Sequence, residues 1–445
     1  PLSLADYQAL GTRQSLLDSA QRELAHGLFQ RYRAWLGEAG LYDSNLVAHA
    51  WRTGIAAAQG PVYDFVVIDE VQDLTPVQLA LVLALLKHPG HFILCGDSHQ
   101  IVHPNFFSWA ALKTLFWRGL AGEAAQRQPL QLLQANFRNT RAVTALANRL
   151  LKIKQARFGS VDRESNFLVQ STSSEPGQVR LLDAKDKTLA QLDAATRQSA
   201  RHAVIVLRDE DKPAARQALH TPLLFSVHEA KGLEYPHVLL FNLVSGQRQA
   251  YAEVCDGVAG ADLAGDELEY RRARDKGDKS LELFKFHVNA LYVAMTRAVE
   301  SLTLVEQDGG HPLLGLLELK PGEAAPQPVA KSSQDEWAQE ARRLELQGKA
   351  EQAQAIRDAF LQHKPVPWTP WSRALIEALA PKALDPRNPS NKPRQTLFDY
   401  AVWHGQQEWV AALGAVNFAP ARGLLEDGAF WGAGTLLPNR YGFRD

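Results

Sequence analysis

The spacing of apolar residues along the chain predicts an α/β protein. Residues 65–68 and 91–95 are short apolar runs, which are typical of parallel strands buried on both faces. Residues 76–87, which lie between them, have the period of a helix. A strand, a helix and a second strand in this order form a parallel α/β unit. Further apolar runs at 203–207 and 302–305 predict core strands of a second sheet.

Helical patterns dominate both ends of the chain. Residues 1–60 contain amphipathic runs that stop at glycines, as helices commonly do. Residues 320–329 are rich in proline, glycine and alanine, which is typical of a linker. Beyond this stretch the pattern changes to helical hairpins. The sequence therefore predicts helical parts on either side of an α/β core.

Composition narrows the possible environments of the protein. The 445 residues carry a formal net charge of −1, so binding to nucleic acid would need a local basic groove. Two cysteines are too few for a disulfide framework or a cysteine-rich zinc site, which favours a reducing compartment. No apolar run approaches the length of a membrane span, so we expect no membrane association. The expected location is cytoplasmic and nucleoid-associated.

Two adjacent carboxylates, Asp69 and Glu70, follow the apolar run at 65–68. Ligands of open parallel sheets bind beyond the carboxyl ends of the strands. A pair of carboxylates at that edge suits Mg²⁺ and water chemistry beside a nucleotide. A solvated acidic turn after a buried strand is the alternative interpretation of these two residues taken alone.

The stretch DEVQD at 69–73 resembles motif II, DExQD, of superfamily 1 DNA helicases of the UvrD/Rep type. Four later stretches resemble motifs III to VI of the same family, in the same order. They are GDSHQ at 96–100, QANFRNT at 134–140, SVHEAKGLE at 226–234 and NALYVAMTRA at 289–298. Each lies at the end of a predicted strand or the start of a predicted helix. Five such matches in order are not expected by chance.

This resemblance implies a nucleic-acid-stimulated ATPase that uses ATP and Mg²⁺. Asp69 would hold the metal through water, and Glu70 would orient and deprotonate the attacking water. Gln100 would sense the terminal phosphate of the nucleotide, and Glu234 would lie by the nucleotide sugar. The guanidinium groups implied to stabilise charge on the terminal phosphate are those of Arg138 and Arg297.

The resemblance also implies a path for single-stranded DNA. Aromatic rings stack on unpaired bases with little regard to sequence, and the corresponding residues here are Phe106, Phe107 and Trp109. His228 would also face the nucleic acid. The aromatic cluster equally fits a hydrophobic core, and a loop histidine fits a structural role. RNA stays open as the nucleic acid.

The implied fold is two RecA-like lobes with parallel sheets, followed by a helical C-terminal domain. The predicted parts are a helical segment at 1–60, the rest of the first lobe at 61–150, the second lobe at 151–310, a linker at 311–332 and the helical domain at 333–445. Within that domain, 337–356 resembles a tetratricopeptide helix pair and 396–413 is weakly similar to an ankyrin pair. A plain helical cap fits as well, because repeat arrays need about three units. A protein partner is expected at these helices.

The sequence lacks a component of the family. It contains no G-x-x-x-x-G-K-[ST] phosphate loop, whose backbone N–H groups and lysine would cradle the phosphates. We expect that the chain is a fragment whose upstream part carries the loop, as the start at Pro1 favours. The alternative is a degenerate, non-hydrolysing scaffold that binds protein partners or DNA. The predicted function is an ATP-dependent DNA helicase or single-stranded DNA translocase.

Overall fold

The structure is a computed structural model of the chain. The residues it describes are 2–10, 17, 19–58, 60, 62–88, 90–102, 109, 112, 131–160, 166–265, 267–268, 270, 281–322, 331–361 and 372–426. The Cα positions separate into two compact units, Pro1–Leu361 and Gln362–Asp445.

Parallel strands and helices make up the described part of the larger unit, and helices make up that of the smaller unit. The strands are β1 (Val66–Ile68), β2 (Phe92–Leu94), β3 (Ala135–Asn136), β4 (Gln170–Ser171), β5 (Gln178–Asp183), β6 (His202–Val206), β7 (Leu224–Ser226), β8 (Tyr235–Phe241) and β9 (Ala298–Glu306). The helices before β9 are α1 (Leu4–Gln8), α2 (Ser19–Ala39), α3 (Ser44–Ala58), α4 (Pro76–Ala84), α5 (Arg141–Phe158), α6 (Asp186–Thr196), α7 (Lys212–Ala218), α8 (Val227–Ala230), α9 (Arg248–Cys255) and α10 (Leu281–Met295). The helices after β9 are α11 (Pro312–Leu316), α12 (Gln334–Leu346), α13 (Ala350–Phe360), α14 (Arg373–Ala383), α15 (Lys392–Trp403), α16 (Gln407–Ala415) and α17 (Ala419–Glu426).

A five-stranded parallel sheet forms the centre of the larger unit, in the order β5-β9-β8-β6-β7. Every residue of β6 is buried, because helices cover both faces of the sheet. One face packs against α5 and α10, and the other against α6 and α7. The predicted α/β class with parallel sheets and a helical C-terminal region is confirmed.

Two small parallel sheets pair β1 with β2 and β3 with β4. The first of them carries the acidic residues at 69–70. Between β1 and β2, Thr75 caps α4: its hydroxyl accepts from the N–H of Gln78, whose side chain accepts from the N–H of Thr75. One face of the pair packs on α4. On the other face, Phe65, Val67 and Ile93 are 52%, 64% and 50% exposed. Within the described part of the chain, this apolar face of the sheet is therefore uncovered.

Two elements differ from the predicted division of the chain. Helix α5 continues across the predicted lobe boundary at 150, and its Val143, Leu150 and Ile153 lie in the core of the five-stranded sheet. Helix α11, with Leu313 buried, lies within the predicted linker. Both helices are amphipathic, and burial of their apolar faces joins them to the sheet.

The helix pair α12–α13 also belongs to the larger unit. Trp337 is 2% exposed and stacks on Phe360, with ring centroids 4.2 Å apart. Leu344 and Ile356 extend the same core that covers the five-stranded sheet. The division between the units therefore follows Leu361, whereas the predicted helical domain begins at 333.

The smaller unit has its own core among α14, α15, α16 and α17. Its fully buried residues include Leu397, Phe398, Val410 and Leu413. Over the residues that the structure describes in both units, every helix is too short or too polar to cross a bilayer.

Candidate active site

The acidic turn after β1 has an unusual backbone. Glu70 adopts φ 52° and ψ 41°, the left-handed region that costs a non-glycine residue free energy. Asp69 Oδ1 accepts the N–H of Glu70 at 2.9 Å, and the Glu70 carbonyl accepts the N–H of Asp73 at 2.9 Å. The Gln72 amide donates to the Glu70 carboxylate. These bonds fix both carboxylates at the carboxyl end of the strand.

Gln72 joins this turn to the turn after β2. Its side chain is fully buried, and its Oε1 accepts the N–H of Asp97 at 3.0 Å. The two turns approach so closely that a Cβ at Gly96 would lie 2.5 Å from Gln72 Oε1. Asp97 Oδ2 in turn accepts from Gln100 Nε2 at 3.0 Å. Motifs II and III are therefore one hydrogen-bonded assembly.

Arg297 lies between α10 and β9 and is 1% exposed. Its Nη2 donates to Gln100 Oε1 at 3.1 Å, which joins the five-stranded lobe to the motif III turn. Its Nε and Nη1 donate to the carbonyls of Val293 at 3.0 Å and Leu233 at 3.2 Å. The guanidinium is therefore held in place before any ligand arrives.

The charges around Arg297 converge from both lobes. Burial and the nearby Arg138 guanidinium lower the pKa of Arg297 to about 10, against an opposing contribution from the Glu70 carboxylate. The group stays protonated at neutral pH. Glu70, Arg138 and Arg297 therefore act on one another electrostatically, as expected if they surround one ligand.

Arg138 follows β3 and is aimed by its neighbours. Its N–H donates to Asn136 Oδ1 at 3.0 Å, and its Nε donates to Glu234 Oε2 at 2.7 Å. The Arg138 and Glu234 side chains are 39% and 52% exposed. Asn139 is buried and donates to the carbonyls on either side of Arg297, at 3.0 and 2.6 Å. Motifs IV, V and VI are thus joined to one another.

Lys231 makes a contact that the sequence interpretation missed. Its Nζ lies 2.6 Å from both carboxylate oxygens of Asp73 and 3.7 Å from Glu70 Oε2. The lysine side chain is only 10% exposed. The available signal in the sequence was Asp73, the second aspartate of the DExQD motif, for which the sequence pattern indicated no partner.

The residues predicted to face nucleic acid have separate positions. Trp109 is partly buried and packs against the core under β1 and β2. His228 is exposed on α8. Phe106 and Phe107 lie outside the described residues. Of the two that the structure describes, Trp109 therefore lies at that core and His228 at the surface.

The acidic residues fit a magnesium ion held mostly by other ligands. Asp69 is exposed, and Glu70 is half-buried beside it. Among the described residues, no three or more His, Cys, Asp or Glu side chains are grouped to hold a metal. Magnesium in phosphate-transfer sites usually keeps waters and phosphate oxygens and needs only one or two carboxylates. The arrangement is therefore suited to a metal bound together with a nucleotide.

A family model and a curated protein are similar to parts of this chain. Residues 12–110 match the family model of the UvrD/REP helicase N-terminal domain. The TPR and ankyrin repeat-containing protein 1 of Homo sapiens is 24% identical over an alignment of 267 positions that covers 56% of this chain and 9% of that protein. The chain thus spans about a tenth of the length of this relative.

Solved structures of two viral helicases are also similar. The arterivirus nonstructural protein 10 helicase has 15% identity and a TM-score of 0.28, covering 58% of this chain and 43% of its own. The PRRSV helicase has 12% identity and a TM-score of 0.26, covering 57% and 37%. The family match at 12–110, which contains motifs II and III, confirms the predicted resemblance to UvrD/Rep-type helicases over this region of the chain.

Proposed function

We propose that this chain is part of an ATP-dependent DNA helicase or single-stranded DNA translocase, with the phosphate loop outside this sequence. The observation that carries the proposal is the contact between Arg297 and Gln100 beside Glu70. It brings motif VI of one lobe against motif III of the other, where a nucleotide between the lobes would have its terminal phosphate.

In this mechanism each group acts according to its position. Glu70 orients and deprotonates the attacking water, and the bonds from Asp69 and Gln72 hold it in its left-handed conformation. Arg297 is fixed by carbonyl oxygens and stabilises charge that develops on the transferred phosphoryl group. Arg138 adds a second guanidinium, and Glu234 lies at the sugar.

A magnesium ion held through water by Asp69 would neutralise phosphate charge when nucleotide is bound. The uncovered apolar face of β1 and β2 supports the proposal that a further segment packs there, because Phe65, Val67 and Ile93 are each at least half exposed. A strand and helix carrying a phosphate loop would cover this face. Closure of the lobes on ATP and opening on release would move the protein along single-stranded DNA.

The substitution Glu70→Gln, in a natural protein that contains this sequence and a phosphate loop, tests the mechanism. It keeps the shape and removes the base, so DNA-stimulated ATP turnover should fall by about 10²-fold or more, while ATP binding is retained. Asp64→Asn is the matched control, because this exposed acid pairs with Lys87 and lies outside the site. Turnover should be measured with single-stranded DNA, with single-stranded RNA and without nucleic acid.

Unchanged ATP turnover in Glu70→Gln would show that Glu70 does not deprotonate the attacking water. If RNA stimulates ATP turnover and DNA does not, the nucleic acid in the proposal must be changed from DNA to RNA. A parent protein that neither binds nor hydrolyses ATP would favour the non-hydrolysing scaffold instead.

A further inference from the structure

The helix pair α12–α13 contacts the segment that contains motif V. Glu340 Oε1 accepts from the Tyr235 hydroxyl at 2.5 Å and from Arg343 Nη2 at 2.8 Å. Arg343 Nη1 donates to the main-chain carbonyl of Glu234 at 3.2 Å. The Arg343 guanidinium also lies over the Tyr235 ring, 4.8 Å from its centroid. One end of the motif V segment is therefore bound to α12.

The other end of the same segment is bound to α13. Gln352 is 3% exposed, and its Nε2 donates to the Leu224 carbonyl at 3.2 Å and to Glu229 Oε1 at 3.4 Å. Buried Lys212 lies 2.6 Å from Glu229 Oε2 and 3.8 Å from Glu351 on α13. The contacts to Leu224 and Glu229 hold the start of the short helix α8 in place.

The ionisation of this cluster favours its hydrogen bonds. Burial raises the pKa of Tyr235 well above its ordinary value, and the charge of Glu340 raises it further, so the hydroxyl remains a donor. Burial lowers the pKa of Arg343, but the combined effects of Glu340 and Tyr235 outweigh burial, so the pKa is raised. Hydrogen bonds to a charged group in a buried site are stronger than those between neutral groups.

We propose that the α12–α13 pair positions the nucleotide site by holding motif V, with Arg343 and Gln352 as its two positioning residues. The proposal rests on the proposed function, in which Glu234 lies at the nucleotide. Arg343 binds the carbonyl of Glu234, and the carboxylate of the same residue pairs with Arg138 at 2.7 Å. A movement of Arg343 would therefore move Glu234, and with it the Arg138 guanidinium that Glu234 binds.

Hydrogen–deuterium exchange of residues 224–236 tests the contact without requiring activity. Arg343→Ala and Glu340→Ala should raise exchange in this segment about tenfold or more, because each removes a hydrogen bond to a charged group. Arg342→Ala is the matched control: the neighbouring arginine is exposed, and its removal should leave exchange unchanged. Glu340→Gln keeps an acceptor oxygen and should show a much smaller change than Glu340→Ala.

ATPase kinetics of a natural protein that contains this sequence and a phosphate loop test whether loss of the Arg343 contact weakens ATP binding. Arg343→Ala should raise the KM for ATP about tenfold with a smaller change in kcat, because it loosens binding groups and leaves Glu70 in place. Tyr235→Phe, which removes only the buried hydroxyl, gives the same test if larger truncations fail to fold.

Unchanged exchange in Arg343→Ala and in Tyr235→Phe would overturn the proposal. So would faster exchange with KM and kcat both unaltered. Absence of ATP turnover in the unsubstituted protein would overturn the proposed function, and the exchange result would still show whether α12 holds motif V.

Discussion

Acid should weaken the larger unit through one buried histidine. His202 begins β6, is 6% exposed, and lies beside His237 with ring centroids 4.4 Å apart. Its Nδ1 is 3.0 Å from the Ser199 hydroxyl. Burial, followed by the charges of His237 and Arg201, lowers the pKa of His202 to about 3.

The sign and size of the effect follow from this pKa. The unfolded chain binds a proton near the ordinary histidine pKa of about 6.5, whereas folded His202 stays neutral down to about 3. The stabilisation by neutral His202 is therefore present above about pH 6.5 and is lost as the pH falls towards 3. At about pH 5 the loss in free energy of unfolding should be about 2 kcal/mol.

Urea unfolding, followed by circular dichroism at about pH 7.5 and pH 5, measures this loss. His202→Gln cannot titrate, so its loss of stability between the two pH values should be about 2 kcal/mol smaller than in the unsubstituted protein. His404→Gln, at an exposed histidine of the smaller unit, should behave like the unsubstituted protein. Equal losses in His202→Gln and the unsubstituted protein would refute the reasoning.

Two other substitutions test how the motifs are joined. Gly96→Ala should destabilise the larger unit by about 1–3 kcal/mol in thermal unfolding, because its Cβ would displace buried Gln72; Gly54→Ala, in open space on α3, should not. A normal melting temperature in Gly96→Ala would contradict the close contact. Asn139→Ala should cost about 1–3 kcal/mol, because two buried carbonyls around Arg297 lose their donor; unchanged urea unfolding would contradict that role.

The acidic turn could be predicted from the sequence because its determinants are adjacent. The apolar residues of β1 and the carboxylates of Asp69 and Glu70 are consecutive, and strand geometry places them together. The contact of Lys231 with Asp73 could not be predicted in this way. These residues come from different lobes, and neither periodicity nor charge specifies which carboxylate a lysine meets across a cleft.

The placement of the α12–α13 pair was also beyond the sequence pattern. The period of α12 shows that Trp337 and Leu344 share an apolar face, but not which surface buries it. A proline-rich stretch before a helical pattern suggests a separate domain. In the structure that face lies on the core of the five-stranded sheet, so packing overrides the boundary suggested by composition.

Arg297 and Arg138 reach the same site with different freedom to move. Arg297 is buried and donates to two main-chain carbonyls and Gln100; hydrogen bonds to charged groups contribute about 1.5–3 kcal/mol each, so moving it is expensive. Arg138 pairs with Glu234 near the surface, and exposed ion pairs contribute about 0–1 kcal/mol. In the proposed function, a triphosphate would recruit Arg138 from Glu234 at little cost and would meet Arg297 already in place. Rearrangement of the cleft on nucleotide binding should begin at Arg138.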